Sequence, residues 1–92
     1  MNDEEIIKID SNTYMVSGMA SIDDINDTFN LDISSADYDT IGGFVLTLLG
    51  SIPNEDEEYT LEYKDLTIKI TKISEKRIEE LKIYIQPKES SN

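Results

Sequence analysis

Apolar and polar residues alternate with strand period along Tyr59, Leu61 and Tyr63, and again along Leu66, Ile68 and Ile70. They recur at helical spacing along Ile22, Ile25 and Phe29, and along Ile41, Phe44, Val45, Leu48 and Leu49. A period of two marks a half-buried strand and a period near 3.6 an amphipathic helix, so this order predicts two short helices followed by a hairpin. Upstream, Thr13-Tyr14-Met15-Val16 is rich in β-formers and runs into Gly18, the mark of a strand ending at a turn. Ile6-Ile7-Lys8-Ile9 reads either as a short strand or as the tail of a linker. Arg77 to Ile85 fits two patterns, since Ile78, Leu81 and Ile85 match a helix while Leu81, Ile83 and Ile85 alternate as a strand. The strand is preferred, because a third antiparallel strand gives two helices a sheet to cover, whereas a bare hairpin is marginal. The expected fold class is α+β, with two short helices packed on an antiparallel or mixed β-sheet.

Helix ends are legible in the same way. Ser21 caps the first helix, with Asp24 three residues on as an approximate capping box, and the helix ends near Asn30. Asp39 or Thr40 caps the second, Gly50 ends it in the left-handed conformation, and Pro53 blocks continuation. The second helix carries a puzzle: Gly42 and Gly43 lie within it, and each costs about 1 kcal/mol against Ala unless the surroundings offset it. Close packing of the helix backbone near Gly18 is the expected reason for both, so that Val at either position destabilises the fold by about 1–3 kcal/mol. Lys64-Asp65 and Ser74-Glu75-Lys76 are the expected turns between the later strands.

Composition narrows the functions. The chain has 92 residues, enough for one small domain, expected at 6–85 between an acidic, disordered start or linker (1–5) and a disordered tail (86–92). A net charge of −12 opposes partners that are themselves polyanions, so no nucleic acid and no direct lipid binding are expected. Acidic charge favours cations, basic partners or plain solubility. There is no Cys, which removes disulfides and thiolate chemistry, and no His, which removes imidazole bases and histidine metal sites. The acidic start Asn2-Asp3-Glu4-Glu5 has the wrong sign for a signal peptide.

What remains as candidate chemistry is modest. Asp23, Asp24 and Asp27 place carboxylates on one exposed helix face and form a candidate site for a weakly held divalent cation, although acidic residues in a first helical turn are already favoured by the helix dipole. Asp37 and Asp39 precede the second helix, where capping is the simpler role, and Glu55 to Glu58 read as a solvated loop. Tyr14, Tyr38, Tyr59, Tyr63 and Tyr84 can stack a flat ligand or simply pack in the sheet. Gly42-Gly43 lacks the Lys and Ser/Thr of a phosphate-binding loop.

Four ordered pieces of sequence together carry a family likeness. Tyr14-Met15-Val16-Ser17-Gly18, Ile22-Asp23-Asp24-Ile25-Asn26, Tyr38-Asp39-Thr40-Ile41-Gly42-Gly43-Phe44-Val45-Leu46 and Leu49-Gly50-Ser51-Ile52-Pro53 resemble the CorC/HlyC transporter-associated domain over roughly residues 6 to 85. In that family the motif positions here are Gly18, Gly42, Gly43, Gly50 and Pro53, and no catalytic residue carries over. The resemblance implies a strand at Arg77 to Ile85 and a fold similar to part of the PCMH-type FAD-binding proteins, with FAD itself entering only by that analogy. It further implies a non-enzymatic regulatory domain on the cytoplasmic side of a membrane protein for magnesium/cobalt efflux or a hemolysin-like protein, commonly following CBS domains. Its expected partners are other domains of the same or a neighbouring transporter, or a second copy. Two alternatives stay open: a binding module for FAD or adenine nucleotide, and a weak divalent-cation sensor. The family's usual turn glycines are absent at Lys64-Asp65 and Ser74-Glu75-Lys76, which leaves the turn geometry open.

Overall fold

A computed structural model describes residues 4–87, so Met1 to Asp3 and Lys88 to Asn92 of the expected acidic start and tail lie outside the described residues. The elements run β1 (Ile6–Asp10), β2 (Thr13–Ser17), α1 (Ile22–Phe29), α2 (Ile41–Leu49), β3 (Tyr59–Tyr63), β4 (Leu66–Ser74) and β5 (Arg77–Ile85). All five strands join one sheet in the order β1-β2-β5-β4-β3, every neighbour antiparallel, so no mixed sheet forms. The segment 6–9 is therefore an edge strand and not a linker tail, and Arg77–Ile85 is the central strand. Hydrogen-bonded backbone reaches one residue past 6–85 at each end: Ser17 N–H donates to the Glu5 carbonyl at 2.8 Å, and Gln86 N–H to that of Asp65 at 2.8 Å.

Alternation assigns one face of the sheet to the core. Val16, Leu66, Ile68, Ile70, Leu81 and Ile83 are buried on it, and the register pairs them across strands. Both helices lie on this face: Phe29 of α1 meets Tyr14 edge-on with centroids 4.9 Å apart, and Phe44 of α2 sits between Tyr38 and Tyr63, each at 5.1 Å. The other face is open to water, with Met15, Lys82, Lys69 and Thr60 in one cross-strand row.

The central hairpin breaks its own alternation twice. Thr71 is an extra residue on β4 and Glu79 an extra residue on β5, as the pairs Ile70↔Leu81, Lys72↔Glu80 and Ile73↔Ile78 require. Either bulge alone would leave the partner strand out of phase, setting Glu79 opposite Ile73 or Lys72 opposite Ile78 on the core face. Together they return Ile73 and Ile78 to the core, both under 9% exposed. The turns that lack glycine use left-handed backbone regardless, with φ of 54° at Lys64, 52° at Glu75 and 67° at Lys76.

The connector between the helices is held by Asn26, whose amide donates to the Ile33 carbonyl and accepts from the Ile33 N–H, both at 2.9 Å. That clamp holds Ile33, which is buried in the core, and at the start of α2 an isolated bridge pairs Thr40 with Ser21.

Candidate functional site

The glycines expected to carry the packing separate into two kinds. Gly18 leaves β2 directly against the β5 bulge: its N–H donates to the Glu79 carbonyl at 2.9 Å, and a Cβ placed on it would lie 1.9 Å from the Ile78 carbonyl oxygen. Gly42 rests on that turn in the same way, with its N–H on the Gly18 carbonyl at 2.9 Å and a hypothetical Cβ 2.8 Å from the same oxygen. Main chain therefore meets main chain along a seam from β5 through Gly18 to α2. Gly43 does not share this role. It is exposed, and a Cβ there would touch only the Thr40 hydroxyl at an ordinary 3.5 Å. The expectation that Gly43 packs internally is corrected: one residue along a helix rotates the position by about 100°, from the seam to the solvent side.

The same geometry removes α2 as an anion site. A helix start attracts phosphate when its first N–H groups are unpaired. Here Ile41 N–H donates to the Ala20 carbonyl at 2.9 Å, Gly42 to Gly18, Gly43 to the capping Thr40 hydroxyl at 3.2 Å, and Phe44 to the Thr40 carbonyl at 3.1 Å. Thr40, not Asp39, is the cap. Gly50 ends the helix at φ 81°, and Pro53 is buried just beyond it.

In front of this seam opens a groove of about 330 Å³, lined in part by Met19, Asp39, Gly43, Leu46 and Arg77. Two smaller hollows lie beside the acidic loop with Lys69 and Lys72, about 230 Å³, and between α1's end and the β3–β4 turn, about 170 Å³. All three are open grooves, unlike the enclosed pockets of roughly 300–1,000 Å³ that bury most of a cofactor.

The remaining candidates are spread over the surface. Asp23, Asp24 and Asp27 are all exposed on α1, with Asp24 N–H donating to the Ser21 hydroxyl at 3.1 Å. Among the described residues no group of three or more acidic side chains gathers closely enough to hold a metal ion. Tyr14, Tyr38 and Tyr63 spend their rings on Phe29 and Phe44 rather than offering them to a flat ligand. Tyr84 carries the Lys82 ammonium 5.7 Å above its ring on the open face. Tyr59 donates its hydroxyl to the Glu57 carboxylate, which raises the phenol above its usual pKa. The Asn12 backbone N–H, followed by the Thr13 hydroxyl, holds the exposed Asp10 carboxyl below its ordinary 3.8. Sequence reasoning assigned no role to Asn26 or Arg77. The signals for Asn26 were its place in the family-like piece Ile22-Asp23-Asp24-Ile25-Asn26 and a polar residue beside the apolar side of a short helix.

Residues 7–87 match the transporter associated domain CorC_HlyC, a span that takes in nearly the whole sheet and both helices. The chain belongs to the CorC/HlyC transporter-associated domain family. A magnesium and cobalt efflux protein CorC of Pasteurella multocida is 33% identical over 87 residues, which cover 91% of this chain but 28% of that protein. A polyamine export protein of Salmonella typhimurium is 30% identical over 86% of the chain and 18% of its own length. Among solved structures, a hemolysin domain from Enterococcus faecalis superposes with a TM-score of 0.82 at 27% identity, covering 91% of this chain and all of that one. The CorC/HlyC fold is thus two helices on one face of a five-stranded antiparallel sheet. This chain spans less than a third of the curated relatives it matches. No helix among the described residues is long and apolar enough to cross a membrane.

Proposed function

We propose that this CorC/HlyC domain is a non-enzymatic regulatory module of a membrane export protein, held at its cytoplasmic side and acting on transport through contacts with the protein's other domains. The observation that carries this reading is the match over residues 7–87 to a domain that transport proteins several times longer also contain. The two relatives are named for different cargoes, magnesium and cobalt in one and polyamines in the other. A domain common to both is poorly suited to selecting the cargo, and well suited to a task that both transporters need. Both cargoes are cations, and a net charge of −12 draws cations to the domain's vicinity without any fixed ligand set.

The test is a domain exchange in the Pasteurella efflux protein. Its own domain is deleted or replaced by residues 6–87 of this chain, and cobalt efflux from loaded cells is followed. Deletion is expected to change the efflux rate or its dependence on internal cobalt, and the exchange to restore it. Identical efflux in all three forms refutes a regulatory role. A parallel melting experiment with FAD, AMP and Mg²⁺ addresses the ligand alternatives, because a ligand that binds only the folded state must raise its stability.

A further inference from the structure

Strand β4 is longer than the strand that covers its outer edge. β3 pairs with it only from Leu66 to Ile70, with Tyr59 as the first β3 residue in the ladder, yet β4 runs on to Ser74. Among the described residues no strand flanks the outer edge of Thr71 to Ser74, about 13 Å of extended backbone. Loop 54–58 passes there instead, and its hydrogen bond to the end of the hairpin comes from a side chain: Glu75 N–H donates to the Glu55 carboxylate at 3.3 Å. Between loop and edge lies the groove of about 230 Å³, which Ile70, Thr71 and Ile73 line from the β4 side. An unpaired edge is a template for one more strand, and extended peptides bind such edges through main-chain hydrogen bonds.

The charges around the groove say which peptide fits. Glu55, Asp56, Glu57 and Glu58 stand against Lys69 and Lys72. Glu57 is engaged by the Tyr59 hydroxyl and the Asn54 amide, and Glu58 lies 3.9 Å from the Lys69 ammonium. Glu55 and Asp56 are exposed and make no salt bridge among the described residues. We propose that the free edge of β4 receives an extended, Lys- and Arg-rich segment from the membrane part of the same transporter, added as a short strand with cationic side chains toward loop 54–58. This rests on the regulatory reading above, under which the domain lies at the cytoplasmic side. Cytoplasmic loops of membrane proteins carry an excess of Lys and Arg, and a net charge of −12 steers basic segments toward the domain. A second copy of the chain is a poor occupant, because it sets carboxylates against carboxylates. The bulge at Thr71 bends the edge and limits the added strand to a few residues. The contact is therefore weak and reversible, as one that switches during transport must be.

Nuclear magnetic resonance titration of the 92-residue chain tests the site without a transporter. The probe is a six-residue peptide of alternating Val and Lys, set against its fully N-methylated analogue, which keeps the charges but has no amide hydrogen to donate. In about 0.05 M NaCl the peptide is expected to bind with a Kd below about 1 mM, shifting amide signals of Thr71 to Ser74 and of Glu55 to Glu58, and to weaken at about 0.5 M. The analogue is expected to bind about tenfold or more weakly, and Glu55→Gln with Glu58→Gln, both at exposed positions, to weaken the peptide about threefold or more. No binding at millimolar peptide, shifts confined to other residues, or equal affinity for the analogue or for spermidine overturns the proposal. In the domain exchange, the same double variant is expected to give the efflux of the deletion. If it exports cobalt as the unmutated exchange does, the proposed partner is wrong and the regulatory reading stands. Unchanged efflux on deletion refutes that reading, and with it the membrane part as partner, whatever the peptide does.

Discussion

The two helices are nearly equal in length and lie on the same sheet face, yet their sequences obey different rules. α1 follows the rules for an isolated helix: a Ser cap, acidic residues in the first turn, an apolar stripe of Ile22, Ile25 and Phe29, and a left-handed Asn30 at its end. α2 breaks them, with two glycines in its first turn, no acid there and no charge anywhere. The first helix is specified by its own composition, the second by what surrounds it. A sequence that looks weak for its element marks where tertiary contacts supply the missing stability.

The largest way to break this contrast is Gly18→Ala. One methyl group would fall 1.9 Å from a main-chain oxygen that cannot rotate away, so chemical denaturation should show a loss of about 3 kcal/mol or more, with α2 unseated. On the α1 side, Asn26→Asp keeps the size but sets an acceptor-only group against the Ile33 carbonyl, and should cost about 1–3 kcal/mol in the same measurement. Gly42→Ala should cost about 1–2 kcal/mol, since the clash with the Gly18 carbonyl outweighs roughly 1 kcal/mol gained in helix propensity. The smallest effect has the opposite sign. Gly43→Ala should stabilise the monomer by up to about 1 kcal/mol, a rise of several degrees in Tm for a domain of this size. Equal behaviour of the Gly42 and Gly43 variants would erase the distinction between seam and solvent face.

Sequence alone revealed what local chemistry decides. Ser21, Gly50 and Pro53 placed the helix ends, and strict alternation at Tyr59 to Tyr63 and Leu66 to Ile70 placed the outer hairpin. The ambiguity at Arg77 to Ile85 has a physical cause. The bulge at Glu79 separates the buried Ile78 and Leu81 by three residues, which is helical spacing, although both sit in a strand. Thr71 does the same between Ile70 and Ile73, and hides the last part of β4. The insertion of β5 between β2 and β4 joins residues far apart in sequence, so no local pattern encodes it. For the candidate site, the sequence singled out Gly42-Gly43 as a pair, but only the position of the Gly18 carbonyl separates their roles. The groove's Met19 and Arg77 carried no pattern at all.

The seam at Gly18 and Gly42 also bears on how such a domain drifts. Its joint consists of main-chain atoms, so side chains nearby can be exchanged generation after generation without loosening it. The information is stored as missing atoms, at two positions where a single added carbon ends the agreement between helix and sheet.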